Sequence, residues 1–306
     1  MNSEKLKITI GYIVICMIWG STWLAIRIGL ESLTPMISAG IRFSFASFFI
    51  FILIKLNKIK LQTDPLAIKL YFISGFFSFV IPFGLVYWAG QFVPSGLASI
   101  LFGIFPIGVL LLSRLYIPGN KIIGMQAIGV VLGFLGIIII FSDGLSFDFS
   151  NYLIGIIAVV MSALMQAAFA VIIKRHGGYL HPLSMNLIPL LIAGIVMIIG
   201  GLLFEDRSNW IFDTKAIGSA LYLAFFGTVV TFTIYFWLMK KIDIVILALS
   251  SFITPIVAVF LGWIIMDELL SFQALTGSAL VLIGILFANF NQLKNYIKTK
   301  KKLSLS

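Results

Sequence analysis

Charge is what this chain of 306 residues has least of: Asp, Glu, Lys and Arg make up 10% of it, against about 25% in soluble domains. With 61% hydrophobic residues it lacks the polar surface that one or two soluble domains of this length require. The solvent that fits is lipid. A single cysteine, Cys16, excludes an intramolecular disulfide. The two histidines, His176 and His181, share one short connection, which argues against a multi-ligand His/Cys metal centre. There is no phosphate loop of the Walker type, and the connections between apolar stretches are too short for an ATPase domain. Intramembrane proteolysis would need zinc ligands, a Ser/His pair or paired aspartates within the apolar stretches, and none is seen there. The chain reads as a non-enzyme that needs no cofactor and no metal.

What it has in abundance is apolar helix. A bilayer core about 30 Å thick takes about 20 such residues. Residues 8–26, 32–54, 122–142, 149–173, 182–204, 216–239, 244–266 and 269–293 each supply one span, the second interrupted only by Arg42. The uncharged run 70–113 would be about 66 Å long as one helix, twice the core thickness. Gln91-Phe-Val-Pro94-Ser-Gly96 is the only polar, helix-breaking stretch near its middle, so this run spans twice. The reading is an all-α membrane protein of ten transmembrane helices. Lys5 and Lys7 before the first span imitate a signal peptide, but that span is too long and no small-x-small cleavage site follows Arg27. It is expected to be retained.

The net charge of +10 invites a nucleic-acid reading, which the placement of the charges refutes. Lys and Arg in short loops mark the cytoplasmic side. With the N-terminus inside, 17 of the 21 basic residues fall on that side and eight of the 11 acids fall outside. A nucleic-acid face would gather its bases in one region. Here they alternate loop by loop, which puts the protein in the cytoplasmic membrane with both termini cytoplasmic.

Sliding the chain along itself exposes a repeat. At an offset of 147, Arg27 meets Lys174 and Pro35 meets Pro182; at 149, Trp88 meets Trp237 and Pro106 meets Pro255. Residues 8–142 then form a first repeat of five spans, 152–293 a second, and 294–306 a basic cytoplasmic tail. Five is odd, so the second half enters from the opposite side and the halves are inverted. Inverted repeats recur in secondary transporters, with the substrate held near the midplane between the halves.

Several motifs coincide with this topology: Trp19-Gly-Ser-Thr-Trp23 in the first span, Ile41-Arg42-Phe43 early in the second, Pro106 and Pro255 in the fourth and ninth, and Met266-Asp-Glu268 closing the ninth. Together they resemble the EamA family of the drug/metabolite transporter superfamily, over residues 8–291. The resemblance implies movement of an amino acid or related small metabolite, usually as export. It departs at one place: the first half reads Ile117-Pro-Gly-Asn120 where the second carries Glu268.

Candidate substrate contacts follow from polarity at depth. Arg42 lies about eight residues, roughly 12 Å, into its span. It suits an anionic group, the competing readings being snorkelling or a pair with Glu31. Trp19, Ser21 and Thr22 fall near the middle of the first span, where ordinary packing through Gly20 competes with a cavity wall. Tyr87 ends the third span beside Trp88, where an aromatic belt is the simpler account. Gln166 is an amide at depth in the sixth span and must find a partner. Thr231, Tyr235, Ser250 and Ser251 are further candidates, although Ser and Thr often bond to their own helix. Pro106 and Pro255 remove backbone bonds and are candidate hinges. Gly129 and Gly133 form a small-xxx-small face that would suit a homodimer.

No Asp or Glu lies near the middle of a span, which favours a facilitator or exchanger over a proton-coupled carrier. The same absence counts against the rival reading, a broad-specificity exporter of cationic drugs. The expected partners are a small-molecule substrate and the lipid bilayer.

Overall fold

Lipid offers no hydrogen-bond partner to a peptide group, so a chain immersed in it must close its backbone bonds internally. The computed structural model, which describes residues 3–116, 124–144, 151–239, 241–242 and 250–303, does so with helices; no strand occurs among the described residues. In chain order these are α1 (Ser3–Gly29), α2 (Pro35–Leu56), α3 (Pro65–Ser74), α4 (Ile81–Ala89), α5 (Ser95–Phe102), α6 (Phe105–Tyr116) and α7 (Gly124–Gly144). They continue with α8 (Asn151–His176), α9 (Ser184–Phe204), α10 (Thr214–Ala224), α11 (Thr231–Met239), α12 (Ser250–Met266) and α13 (Phe272–Leu303). Seven helical runs are long and apolar enough to cross a membrane: Leu6–Gly29, Pro35–Leu56, Pro65–Ala89, Ser95–Ser113, Asn151–Ile173, Ser184–Phe204 and Thr214–Tyr235. Three shorter apolar helices, Gly124–Ile140, Ile253–Met266 and Phe272–Ala288, accompany them. The protein is an all-α, multi-pass membrane protein.

Two of the long runs change pitch part-way. Six residues of π-helix, Gly75–Val80, join α3 to α4, and six more, Phe225–Val230, join α10 to α11. A π turn shifts the register of every following side chain, and such turns concentrate at functional positions. The run at 95–113 bends differently: a turn at Gly103 and Ile104 separates α5 from α6, and Pro106 is the second residue of the new helix. Pro255, by contrast, lies inside α12.

Packing pairs α2 with α9 and α7 with α13, sets α1 against α10, α11 and α12, and sets α8 against α4, α5 and α6. Two apolar interiors result. One centres on Phe43, Ile50, Leu190 and Met197, the other on Leu97, Leu101, Ile104, Ile140 and Ile156. Side chains such as Ile10, Ile13, Phe48, Phe51, Ile256 and Phe260 point outward, as lipid requires.

The closest helix approach depends on glycine. A Cβ on Gly129 would lie 2.4 Å from the Ala288 nitrogen and 2.5 Å from the Gly284 oxygen, and one on Gly277 would lie 2.6 Å from the Gly136 oxygen. Small residues let two backbones meet where lipid gives no hydrophobic drive for association. The face carrying Gly129 is therefore occupied by α13 of the same chain, which leaves it no role in holding a second copy. Gly284→Leu is expected to destabilise the bundle by at least about 1–3 kcal/mol, by overpacking. Thermal melting in detergent should show it, with Gly218→Ala as the silent control, since nothing lies within 4 Å of a Cβ there.

Candidate functional site

Arg42 stands on the buried side of α2 and is 5% exposed. Its Nη1 donates to the Tyr87 hydroxyl of α4 at 3.3 Å, a long bond, and its buried Nε finds no hydrogen-bond partner. The rings of Phe43 and Phe83 face the guanidinium at 5.3 and 5.2 Å from their centroids. The Glu31 partnership is corrected: that carboxylate is held by Lys215 at 2.5 Å. The simple aromatic-belt account of Tyr87 is corrected too. Tyr87 is fully buried because its hydroxyl serves Arg42, while Trp88 is partly exposed.

The second half reaches this arginine through its π turn. A Cβ on Gly227 would come within 2.9 Å of Thr22 Cγ2 and 4.0 Å of Arg42 Nη2, so α1, α2 and the Phe225–Val230 turn converge there. One turn away, Ser21 Oγ shares a 2.6 Å hydrogen bond with the Tyr222 hydroxyl of α10. Trp19 packs its ring against Tyr235 and Phe232 of α11, at 5.3 and 6.2 Å between centroids. Packing through Gly20 also holds, since a Cβ there would meet Val257 at 2.5 Å.

The hydroxyls divide. Thr22 donates to the Trp19 carbonyl at 2.7 Å, Thr228 to Leu223 at 3.1 Å, Thr231 to Gly227 at 2.9 Å and Thr254 to Ser250 at 3.1 Å. These protons are spent on their own helices, leaving only lone pairs for a visitor. Ser250 is buried, and the side chain of Ser251 lies outside the described residues. Gln166 sits on α8 with its Nε2 buried and unpaired, one turn from the equally unpaired hydroxyl of Ser162. Neither is joined to Arg42 by a hydrogen bond. Among the described residues no three His, Cys, Asp or Glu side chains gather as a metal site would need.

Two carboxylates close the end of the bundle at which α1 finishes. Neither α2 nor α5 receives a cap from its own N-cap side chain. Glu205 supplies the first, accepting from Met36 N at 2.7 Å, Ile37 N at 3.1 Å and the Thr34 hydroxyl at 2.7 Å. Glu268 supplies the second, accepting from Ser95 N at 2.9 Å, the Ser95 hydroxyl at 2.8 Å and Gly96 N at 3.3 Å. Glu268 is aimed by a left-handed residue, Asp267, with φ 51°, after which its own N–H returns to Gly262 O. Around Glu205, Trp210 donates to Thr34 at 2.7 Å and Ile211 N to Ser32 O at 2.8 Å. Asp213 accepts from Ala216 N and from the Ser32 hydroxyl, and these bonds hold its carboxyl below the usual range. That contribution is present above the ordinary carboxylate pKa and is lost as pH falls through the depressed one.

Sequence reasoning picked out Arg42, Thr22, Ser21 and Trp19; the fold brings Thr22 and Arg42 together beside Gly227, while Ser21 meets α10 and Trp19 meets α11. It missed Tyr222, Gly227 and Phe83, which lie in uniformly apolar runs and declare themselves only where helices cross. It also missed the cap made by Glu205, although an acid directly after an apolar span was the available signal.

The profile of the EamA-like transporter family matches residues 6–142 and 153–290. The chain is similar to protein PagO of Salmonella typhimurium, with 30% identity over 94% of this chain and 93% of PagO. It is 25% identical to the uncharacterized transporter YoaV of Bacillus subtilis over 93% and 97% of the two chains. It is 29% identical to the uncharacterized inner membrane transporter YedA of Escherichia coli over 83% and 81%. One crystal structure superposes with a TM-score of 0.65 over 92% of this chain and 96% of its own, at 16% identity, a likeness of fold. With both halves of its length matched in tandem and named transporters aligned along most of theirs, the chain belongs to the EamA-like transporter family.

Proposed function

We propose that this protein is a secondary carrier that moves a small metabolite, an amino acid or a related solute, across the cytoplasmic membrane by alternating access, in the export direction. The observation that carries the reading is the pair of π turns. They begin at Gly75 and Phe225, 150 positions apart, each within one long run; the first packs on α9 and the second on α2, the helix that bears Arg42. The first packs Phe79 against Phe43; the second sets Gly227 beside Arg42 Nη2. Equivalent irregularities on two sides of one polar cluster are what two inverted repeats, 8–142 and 152–293, would produce.

The packing supports the same axis. The first helix of the proposed first repeat, α1, lies on α10, α11 and α12, and the first helix of the second, α8, lies on α4, α5 and α6. The pairs α2–α9 and α7–α13 would each be related to themselves. The seven long runs, the three shorter apolar helices and the loop charges support a reading of ten spans with both termini cytoplasmic. Trp19, Ser21, Thr22, Arg42, Tyr87, Gln166, Thr231, Tyr235, Ser250 and Ser251 are the proposed substrate-facing set, with Pro106 and Pro255 as hinges. None of the seven long runs holds an acid, so a cationic drug would meet no counter-charge.

Two measurements test this. Intracellular and extracellular metabolite pools, compared with the protein present and absent, should show one small solute shifting outward; unchanged pools would reject the carrier. A cysteine at Gln91 should label with an impermeant reagent from outside the cell and one at Lys58 should not, and the reverse pattern would overturn the orientation.

A further inference from the structure

We propose that the two halves are tied at both ends of the bundle by one repeated device, a hydroxyl of one half bonded to the aspartate that caps a helix of the other, and that Glu205 and Glu268 make one of those ends the harder to open. The proposal rests on the carrier reading above and adds which end governs its resting state. Asp64 caps α3 by accepting from Ala67 N, and Asp213 caps α10 by accepting from Ala216 N. Each carboxylate also takes a hydroxyl from the opposite half. Tyr179 donates to Asp64 at 2.7 Å, and Ser32 donates to Asp213 at 2.9 Å. Asp64 and Asp213 are 149 positions apart, and Ser32 and Tyr179 are 147 apart, the two offsets at which the sequence matches itself.

A second contact accompanies each tie. His181 N donates to the Gln62 side chain at 3.2 Å, and Ile211 N donates to the Ser32 carbonyl at 2.8 Å. Gln62 and Ile211 are again 149 positions apart. The two ties stand at opposite ends of the bundle, because Ser32 precedes α2 and Asp64 follows it, and the 22 residues of α2 cover about 33 Å. Opening either end breaks a contact whose twin can keep the other end shut. An exchange between two near-equivalent closures is what alternating access asks of inverted repeats.

The ends are unequal, however. At the Asp213 end, Glu205 and Glu268 each reach across to three donors at the N-termini of α2 and α5. At the Asp64 end, the positions matching Glu205 are Leu56, Asn57 and Lys58, and Asn57 donates to Leu53 O of its own helix. The start of α9, the counterpart of α2, is served within its own half, where Leu183 N donates to His181 Nδ1. The residues matching Glu268, at 119–121, carry no acid and lie outside the described residues. The bond between Tyr179 and Asp64 is exposed, so water competes for both partners, whereas the bonds of the two glutamates are partly buried. The Asp64 end, cytoplasmic on the proposed orientation, therefore yields first, and the Asp213 end stays shut at rest.

Spin-label distances, measured by pulsed electron paramagnetic resonance on the full chain in lipid nanodiscs, test this. In a Cys16→Ser background, one label pair is placed at the exposed positions Gln91 and Ser208 for the Asp213 end, and another at Lys60 and His176 for the Asp64 end. Glu205→Gln with Glu268→Gln should raise the ratio of long to short distances at the Asp213 end at least about tenfold, the change expected from losing one hydrogen bond to a charged group. The pair at the Asp64 end should not lengthen. Tyr179→Phe should do the converse, lengthening the Asp64 end alone. Should the double glutamine variant not fold, Thr34→Ala with Ser95→Ala removes one donor from each carboxylate and should move the Asp213 end the same way, to a smaller extent. An unchanged Asp213 end, equal broadening at both ends, or an Asp64 end indifferent to Tyr179→Phe would overturn the proposal. Solute movement in the pool experiment with unresponsive distances leaves the carrier standing and overturns the ties; responsive distances with no solute moved do the reverse.

Discussion

A peptide group inside hydrocarbon must find its partner within the protein, and this one requirement organises the chain. It makes the described residues helical, and it makes every helix end a place where four N–H groups need an acceptor. Some ends solve this locally: Asp64 receives Ala67 N, Asp213 receives Ala216 N, and Ser271 receives Ala274 N. The ends of α2 and α5 do not, because Pro94 has no capping side chain and Thr34 turns its hydroxyl to Glu205 instead. The missing acceptors come from the other half of the chain. A helix-capping problem thereby becomes a long-range contact, joining residues more than 160 positions apart.

The same requirement explains why glycine matters most where helices touch. Side chains of lipid-facing helices gain little by leaving lipid for protein, so contact must come from close backbone approach. Gly129, Gly136, Gly277 and Gly284 supply it between α7 and α13. Gly227 differs in kind. A Cβ there would meet Thr22 at 2.9 Å and stand 4.0 Å from Arg42 Nη2, so it lets a π turn rather than a second α-helix come close. The packing glycines can be recognised by spacing alone, whereas Gly227 gains its meaning only from what crosses it.

This difference marks how far the sequence could be read. The seven long apolar runs were legible, because the length of an apolar run and the thickness of a bilayer are both fixed quantities. Arg42 was legible because a lone charge in an apolar run has few reasons to be there. The two π turns were not, since Gly-Phe-Phe-Ser-Phe-Val and Phe-Phe-Gly-Thr-Val-Val carry no mark that separates them from α-helix. Pro106 reads as a candidate hinge within one span, whereas the break between α5 and α6 falls at Gly103 and Ile104 and places the proline in the first turn of the helix that follows. The Gly129 and Gly133 pair was read as a surface for a second copy. Periodicity gives the existence of a sticky face, and only the fold says that α13 covers it.

The cluster around Arg42 combines contributions that no single helix could make. Arg42 comes from α2, its Tyr87 partner from α4, the neighbouring Thr22 from α1, and Gly227 from a π turn in the other half. A charge so placed is indifferent to which end of the bundle is open, but the groups around it are not, because they ride on helices of both halves. A counter-charge built into the chain would remove that sensitivity by satisfying the arginine in every arrangement. On the proposed carrier reading, leaving the anion to the solute would make the energy of each arrangement depend on whether the solute is present, which is the coupling a carrier needs.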